Sequence, residues 1–430
     1  MDKLNSLSEA KIRKELYGES FFQTFSWLYE IQRFFLYKIS RLLGKLPGVS
    51  NFLNIPSKTY PSTREWCLDV KHSKSADYEQ IYPARTIEII PPNPYPSDLK
   101  RFLPTHTFLS EAFVAKFSHA RVVGTSIISP DGKLLEDLSP EFDPRFSVIN
   151  KPYNYSSMRK FKLPEPTIFS GRVAMLAIPY GGNYFHWLYD LLPRFHLIQQ
   201  SSISVDSIDK FIINQIQKPF QELLLKALEI PRDKIIEVPR KERNRFHIQA
   251  TELIVPSITT SCRLSIFGSV ESWACTYLQG EFASRVIRQG FKGPKLIYIS
   301  RKKAGRRKVI NEDEVLALLE KYGFQSVCPE DYTIGEQVSL FQNARAVVSS
   351  HGAGLANIAF CPRGTKVIEF CSPEYLTRHL RDIAYFAGHD YHVFAGLALP
   401  GKRLKAKSLD IFVNLQELEA IVHKADIKMP

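Results

Sequence analysis

The longest run of helical hydrophobic spacing lies near the start of the chain. Between residues 19 and 46, Phe21, Phe25, Leu28, Phe35, Ile39, Leu42 and Leu46 recur at roughly helical intervals, with Arg33, Lys38, Arg41 and Lys45 interleaved. The spacing predicts one amphipathic helix, stopped by Pro47-Gly48. A basic, aromatic-rich helix of this kind lies in a membrane interface or packs on its own domain or a partner subunit. Over residues 50–105 the periodicity is lost. Pro91-Pro92-Asn93-Pro94-Tyr95-Pro96 is the strongest punctuation, and a linker or surface wrap is expected there.

Short strands begin near residue 107. The β-branched stretch 120–128, the turn Pro130-Asp131-Gly132-Lys133 and then Leu134-Leu135 predict a hairpin. From about residue 171, apolar strands alternate with helical patterns. Strands are expected at 173–178, 211–213 and 252–255, and helices at 184–200 and 219–228, with Pro193 kinking or restarting the first. The alternation is cleaner further on. Helices are expected at 270–290, 311–322 (capped by Asn311), 334–344 and 414–424. Strands are expected at 295–300, 324–327, 346–349 and 366–370. Alternation of this kind predicts an α/β fold with a mostly parallel sheet. At 430 residues the chain is long enough for two cores. The expected division is 1–50 as a helical extension, 51–105 as a linker, and domains over 106–250 and 251–430.

Composition changes this picture little. Hydrophobic residues make up 44% and charged residues 23%, as in an ordinary globular protein. The net charge of +13 favours anionic partners: phosphate groups, nucleic acid or an anionic membrane surface. No long Lys/Arg block and no recognisable nucleic-acid module accompanies it, so nucleic acid is not expected as a partner. The six cysteines form no C-x-x-C pair, which argues against a zinc site and for lone buried thiols. No uncharged apolar stretch reaches 18 residues, and Met1 to Lys14 is polar and charged. Neither a spanning helix nor a signal peptide is therefore expected, and the expected address is cytoplasmic, with peripheral membrane contact through 19–46.

Four segments carry candidate chemistry. In 346–357, AVVSSHGAGLAN, a buried strand runs into a Gly-rich turn and a helix. Gly352, Ala353 and Gly354 let a phosphate approach free N–H groups at the helix start, and His351 can donate to a phosphate oxygen. The plainer alternative is a tight turn with a structural histidine. In 300–307, SRKKAGRR, five cations sit on one loop at a strand end: Arg301, Lys302, Lys303, Arg306 and Arg307. Arginine donors suit phosphate geometry and can neutralise a diphosphate without a metal. A solvated charge run is the alternative. In 181–194, GGNYFHWLYDLLPR, His186 and Asp190 are four apart and share a helical face, and Asn183 can cap that helix. Such a pair can take a proton from a hydroxyl. A metal-binding role lacks a third ligand. Glu369, at the end of the apolar strand 366–370, either faces a ligand such as a ribose or pairs with a basic neighbour. No D-x-D pattern, Walker A loop, G-x-S-x-G or H-E-x-x-H occurs.

In order along the chain, GGNYFHWLYDLLPR, SRKKAGRRKVINEDEV, GFQSV, EQVSLFQNARAVVSSHGAGLANIAF and KVIEF together resemble family 61 of the glycosyltransferases. That family includes protein O-linked N-acetylglucosaminyltransferases, plant xylan xylosyl- and arabinosyltransferases, and many bacterial proteins; this chain looks like a bacterial-type member. The likeness covers roughly residues 110–400. It implies a GT-B-like fold, with two Rossmann-like domains facing across a cleft and the nucleotide on the C-terminal one. It also implies inversion at the anomeric carbon with no obligatory metal and no cofactor. The expected donor is a nucleotide-sugar, a UDP-sugar first among them, and the acceptor a glycan hydroxyl, as in surface polysaccharide synthesis. Carried onto this chain, the resemblance puts Arg301, Arg306 or Arg307, His351 and the 352–354 amides on the donor diphosphate. It puts Glu369 and Asn357 on the nucleoside or sugar, Asn183 on the acceptor side, and Asp190 as base with His186 beside it. Two competitors remain. A non-catalytic nucleotide- or carbohydrate-binding protein on the same fold would dispense with the His186–Asp190 pair. An NAD-dependent oxidoreductase would need a G-x-G-x-x-G turn, and HGAGLAN is one glycine short of it.

Overall fold

A computed structural model describes residues 22–44, 53–69, 75–89, 93–95, 105–139, 155–241, 245–259, 269–372, 377–398 and 410–429. The expected stop at Pro47-Gly48, the polar stretch Met1 to Lys14, and Pro91, Pro92 and Pro96 lie outside them.

Two sheets organise the chain. The first has ten strands and is mixed. Its antiparallel part contains the expected hairpin, Ser126–Ile128 against Lys133–Leu135, and a second one that divides the expected 120–128 stretch, Arg121–Val123 against Ser126–Ile128. Its parallel part runs in the spatial order His247–Pro256, Thr167–Met175, Lys210–Asn214, Ile235–Val238. The second sheet has six strands, all parallel, in the order Gln325–Val327, Leu296–Ile299, Ala346–Ser350, Lys366–Cys371, Asp390–Ala395, Asn93–Tyr95. Segment 51–105, expected as a linker or wrap, carries strands into both sheets. Lys58–Tyr60 and Ala76–Tyr82 join the first, and Asn93–Tyr95 is the edge of the second. A proline is tolerated at that edge because an edge strand needs donors on one side only.

Buried apolar strands explain the parallel sheet. Val347, Val348, Val367 and Ile368 are wholly buried, as expected of strands covered on both faces. One face packs on a core shared with the first domain, where Leu188, Leu191, Trp273, Phe282, Phe341, Ile358 and Ile383 meet. The other face is covered by the helices Glu312–Glu320 and Leu415–Lys424, through Leu319, Leu418 and Ile421. Asn414 caps the closing helix by accepting from the amides of Gln416 and Glu417. Asn311 does not cap its own helix with its side chain. It exchanges hydrogen bonds with the backbone of Val413 instead, 2.8 and 3.0 Å, and so ties the closing segment to the sheet.

Both parallel units reverse strand order in the middle. In the second sheet the chain goes from Leu296–Ile299 outward to Gln325–Val327, then back across to Ala346–Ser350. In the first, Thr167–Met175 is flanked by Lys210–Asn214 on one side and His247–Pro256 on the other. Loops diverge at such switch points, leaving room at the carboxyl ends of the strands for a ligand.

Candidate active site

The first switch point holds the His186–Asp190 pair. Gly181 opens the turn because Asn214 lies against it: a Cβ at Gly181 would stand 1.9 Å from Asn214 Cγ. Trp187 Nε1 and Gln221 Nε2 both donate to the Gly181 carbonyl, at 2.5 and 2.9 Å. Asn183 then caps the helix by accepting from the Phe185 amide at 2.8 Å. The helix is not uniform. Tyr184–His186 is α-helical, Trp187–Leu191 is a π turn, and Leu192–Gln200 resumes α-helix with Pro193 in its first turn. The expected kink or restart at Pro193 is thus realised as a wide turn just upstream, where a proline's missing N–H does least harm.

Asp190 sits inside that wide turn and is only 4% exposed. Its Oδ2 lies 2.7 Å from His186 Nδ1, and its Oδ1 accepts from Thr259 Oγ1 at 3.2 Å. Thr259 follows the neighbouring strand across the switch point. The Arg194 guanidinium, one turn on, is buried and donates to the carbonyls of Ala177 and Pro256. Burial drops its pKa to about 9, and the nearby Asp190 charge opposes the drop. Both Asp190 oxygens are therefore engaged, whereas His186 is half-buried and sits closer to solvent.

The second switch point holds the basic loop and the Gly-rich turn, on adjacent strands as expected. The loop is divided in its roles. Lys302 and Lys303 point outward and pair with Asp313 and Asp331. Arg306 is exposed and Arg307 half-buried. Arg301 turns inward. Its Nε donates to the Arg307 carbonyl at 3.1 Å and its Nη2 to the Arg306 carbonyl at 2.9 Å. Its Nη1 lies against Gly352, where a Cβ would stand 1.8 Å from it. Arg307 adopts φ 56°, a left-handed conformation that costs a non-glycine residue roughly 1–2 kcal/mol. Its carbonyl is held by both Arg301 and Ser350 Oγ, the latter at 2.9 Å. Burial lowers the Arg301 pKa to about 10. The neighbouring Arg307 lowers it further, Glu330 opposes, and Arg306 adds to the fall. Arg301 is thus a desolvated cation crowded by like charges, the situation that a bound anion relieves.

The turn leads into an eight-residue 3₁₀ stretch, Ala353–Phe360, rather than the expected α-helix. His351 Nδ1 is hydrogen-bonded to Glu369 Oε1, and Tyr391 Oη donates to Glu369 Oε2. Glu369 is wholly buried and both its oxygens are used. The expected nucleoside or sugar contact is corrected on that ground: Glu369 holds His351. Asn357 needs the same correction. It is wholly buried, accepts from Tyr184 Oη at 2.7 Å and donates to Gln337 Oε1 at 2.9 Å. It joins the two halves of the molecule instead of facing a ligand, and Tyr189 Oη donating to the Ala356 carbonyl at 3.0 Å does the same.

One residue at this meeting point escaped the sequence reading. His379 starts the helix His379–Ala387, which is anchored where Arg381 donates to Asp382 Oδ1 and Thr107 Oγ1. Its ring lies edge-on to Phe185, centroids 5.2 Å apart. Its pKa falls to about 3, first through burial, then through His186; Asp190 opposes, and His351 and Arg378 push the same way as His186. His379 therefore lies within electrostatic reach of both histidine–carboxylate pairs and is neutral at ordinary pH. No motif or spacing marks it in the sequence. Among the described residues no group of three or more His, Cys, Asp or Glu could hold a metal ion.

The arrangement places a histidine–carboxylate pair at the strand ends of one sheet and a basic loop with a Gly-rich turn at the strand ends of the other. Sequence comparison supports a glycosyltransferase: residues 184–368 match the family Glycosyltransferase 61. The matched segment contains His186, Asp190, Arg301 and His351, stops one residue before Glu369, and excludes His379. Among similar proteins, the EGF domain-specific O-linked N-acetylglucosamine transferase of Drosophila melanogaster is 29% identical over 138 residues, covering 27% of this chain and 26% of the relative. Beta-1,2-xylosyltransferase XYXT1 of Oryza sativa subsp. japonica is 37% identical over 79 residues, 18% of this chain and 17% of the relative. Human protein O-linked-mannose beta-1,4-N-acetylglucosaminyltransferase 2 is 34% identical over 96 residues, 21% and 16% respectively. The chain thus spans about a quarter or less of the length of these curated relatives.

Proposed function

We propose that this chain transfers a sugar from a nucleotide-sugar, a UDP-sugar in the first instance, to a hydroxyl of a glycan or glycoprotein. Transfer proceeds with inversion and without a metal, across a GT-B-like cleft between the two domains. The observation that carries the reading is a histidine–carboxylate pair at each switch point, His186–Asp190 and His351–Glu369, with the half-buried Arg301 pressed against Gly352 beside the second.

Asp190 is enclosed, with Oδ2 on His186 and Oδ1 near the Thr259 hydroxyl, which donates first to the Tyr189 carbonyl, so the group offered to an acceptor is the more exposed His186. Asp190 holds the Nδ1–H of the ring and leaves Nε2 as the basic atom. In the proposed step His186 Nε2 takes the acceptor hydroxyl proton as the oxygen bonds to the anomeric carbon. The bond from that carbon to the diphosphate breaks through an oxocarbenium-like transition state. The departing electron pair goes to the diphosphate, whose growing charge meets Arg301, His351 and the 352–354 backbone. Arg306 and Arg307 lie at the rim of the same loop. A single displacement by a single base inverts the anomeric centre.

Turnover on the acceptor tests the base assignment. Asp190→Asn and His186→Ala should each lower kcat by about 10²–10⁴ while leaving nucleotide binding intact. Near-full turnover in His186→Ala would remove the histidine as base, and near-full turnover in Asp190→Asn would remove Asp190 from the mechanism.

A further inference from the structure

In the helix Phe22–Gly44, residues 31–42 turn polar side chains inward and apolar ones outward. Arg33 is 6% exposed and Ser40 wholly buried, whereas Phe35 is 59% and Leu42 65% exposed, with Phe34 and Ile39 also outward. Phe35, Ile39 and Leu42 fall at i, i+4 and i+7, on one face. The inward face is fixed by polar contacts. Ser40 Oγ donates to the Lys160 carbonyl at 2.9 Å, and Arg41 donates to the carbonyls of Pro56 and Ser57. Tyr37 adds to a small cluster with Leu134, Tyr155 and Met158. The helix is thus held to the first domain by its polar side and turns an apolar, aromatic stripe to solvent.

The segment joined to it through Ser40 exposes a further aromatic side chain. Phe161 is exposed between exposed Lys160 and Lys162. Across residues 31–42 and 155–162 the sequence has Arg33, Lys38, Arg41, Arg159, Lys160 and Lys162 and no acidic residue. Lys38 is exposed and its Nζ lies 5.2 Å from the Phe34 ring centroid, so the cation borders the apolar face. Among the described residues no helix is long and apolar enough to cross a membrane.

We propose that this face docks on an anionic lipid bilayer. Phe34, Phe35, Ile39, Leu42 and Phe161 enter the interface, and Lys38, Lys160 and Lys162 meet lipid phosphates. The charge pattern selects this occupant over a second copy of the chain: over residues 31–42 and 155–162 the exposed charges are Lys38, Lys160 and Lys162, all cationic, and stacking that surface on itself would oppose like charges. An interfacial helix needs a large apolar face and flanking cations, both of which are present. The inference does not depend on the transfer chemistry.

Flotation of the full chain with phosphatidylcholine vesicles, with and without phosphatidylglycerol, tests it. The protein should float with the mixed vesicles and much less with pure phosphatidylcholine. The exposed triple substitution Phe35→Ser, Ile39→Ser and Leu42→Ser should lower partitioning about tenfold or more with an unchanged circular dichroism spectrum. Lys160→Glu with Lys162→Glu should abolish the preference for the anionic lipid. Absence of flotation, or equal flotation of the triple variant, would overturn the proposal. So would a dimer, seen by light scattering, that the triple variant converts to monomer while the parent ignores vesicles.

Discussion

At the scale of single residues, the site pairs each histidine with a buried carboxylate. The roles proposed for the two carboxylates differ from those the sequence suggests. Spacing alone placed His186 and Asp190 on one helical face, because side chains four apart meet there. It could not say which of the two is enclosed; that depends on Thr259, seventy residues away and invisible to local pattern. Glu369 was legible as an acid at the end of a buried strand, but the face it points to and its Tyr391 partner are set by the adjacent strand. His379 should repay substitution. As a neutral ring among the reacting groups it is placed to donate to donor or acceptor, and His379→Ala should cost about 10²–10³ in kcat, read as turnover at saturating donor. An unchanged kcat would confine His379 to packing.

At the scale of elements, loop and turn act as one device. Arg301 reaches back to the carbonyls of its own loop and is pressed against Gly352 on the next strand's turn. Gly352→Ala should therefore displace the guanidinium and weaken nucleoside diphosphate binding by about tenfold or more, an effect of at least ~1.4 kcal/mol. Calorimetric titration reads this directly. The tie between halves is open to the same kind of test. Tyr184→Phe leaves the Asn357 carbonyl oxygen buried without its donor, and should lower unfolding free energy by about 1–3 kcal/mol in urea. The β–α alternation of the second half was readable because its strands are continuous apolar runs separated by amphipathic helices. The Asn93–Tyr95 edge strand was not, because three residues around a proline carry no periodic signal. The strands of segment 51–105 take their meaning from partners far along the chain, such as Ala76–Tyr82 on Ala112–Ser118.

At the scale of the whole molecule, buried histidines set the response to acid. Burial, the leading cause in each case, lowers the pKa of His196, His247, His379, His389 and His392. Each binds its proton less readily folded than unfolded, so between the lowered value and about 6.5 the unfolded chain holds more protons. Stability should fall as pH drops below about 6.5. Glu271 has the opposite sign: burial raises it to about 8, and its contribution is lost as pH rises through that value. Thermal unfolding followed from pH 8 to 5 should show a falling Tm on the acid side; a flat or rising Tm would contradict the burial of these rings. The two sheets, each with a switch point in its parallel part, share one core. That arrangement is the basis for reading a donor site and a base on opposite sides of one cleft.

The central claim is that Arg301 and the His351 turn hold the diphosphate of a nucleotide-sugar. It is tested most directly by thermal shift in the presence of a chelator, with UDP, UDP-sugars, GDP-sugars and NAD offered in turn to the parent chain and to Arg301→Ala. The account predicts stabilisation by a nucleoside diphosphate and its sugar conjugate, of about 2.7 kcal/mol at a hundredfold excess over Kd, and its loss in Arg301→Ala. Stabilisation by NAD and not by any nucleoside diphosphate, or an undiminished shift in Arg301→Ala, would contradict it.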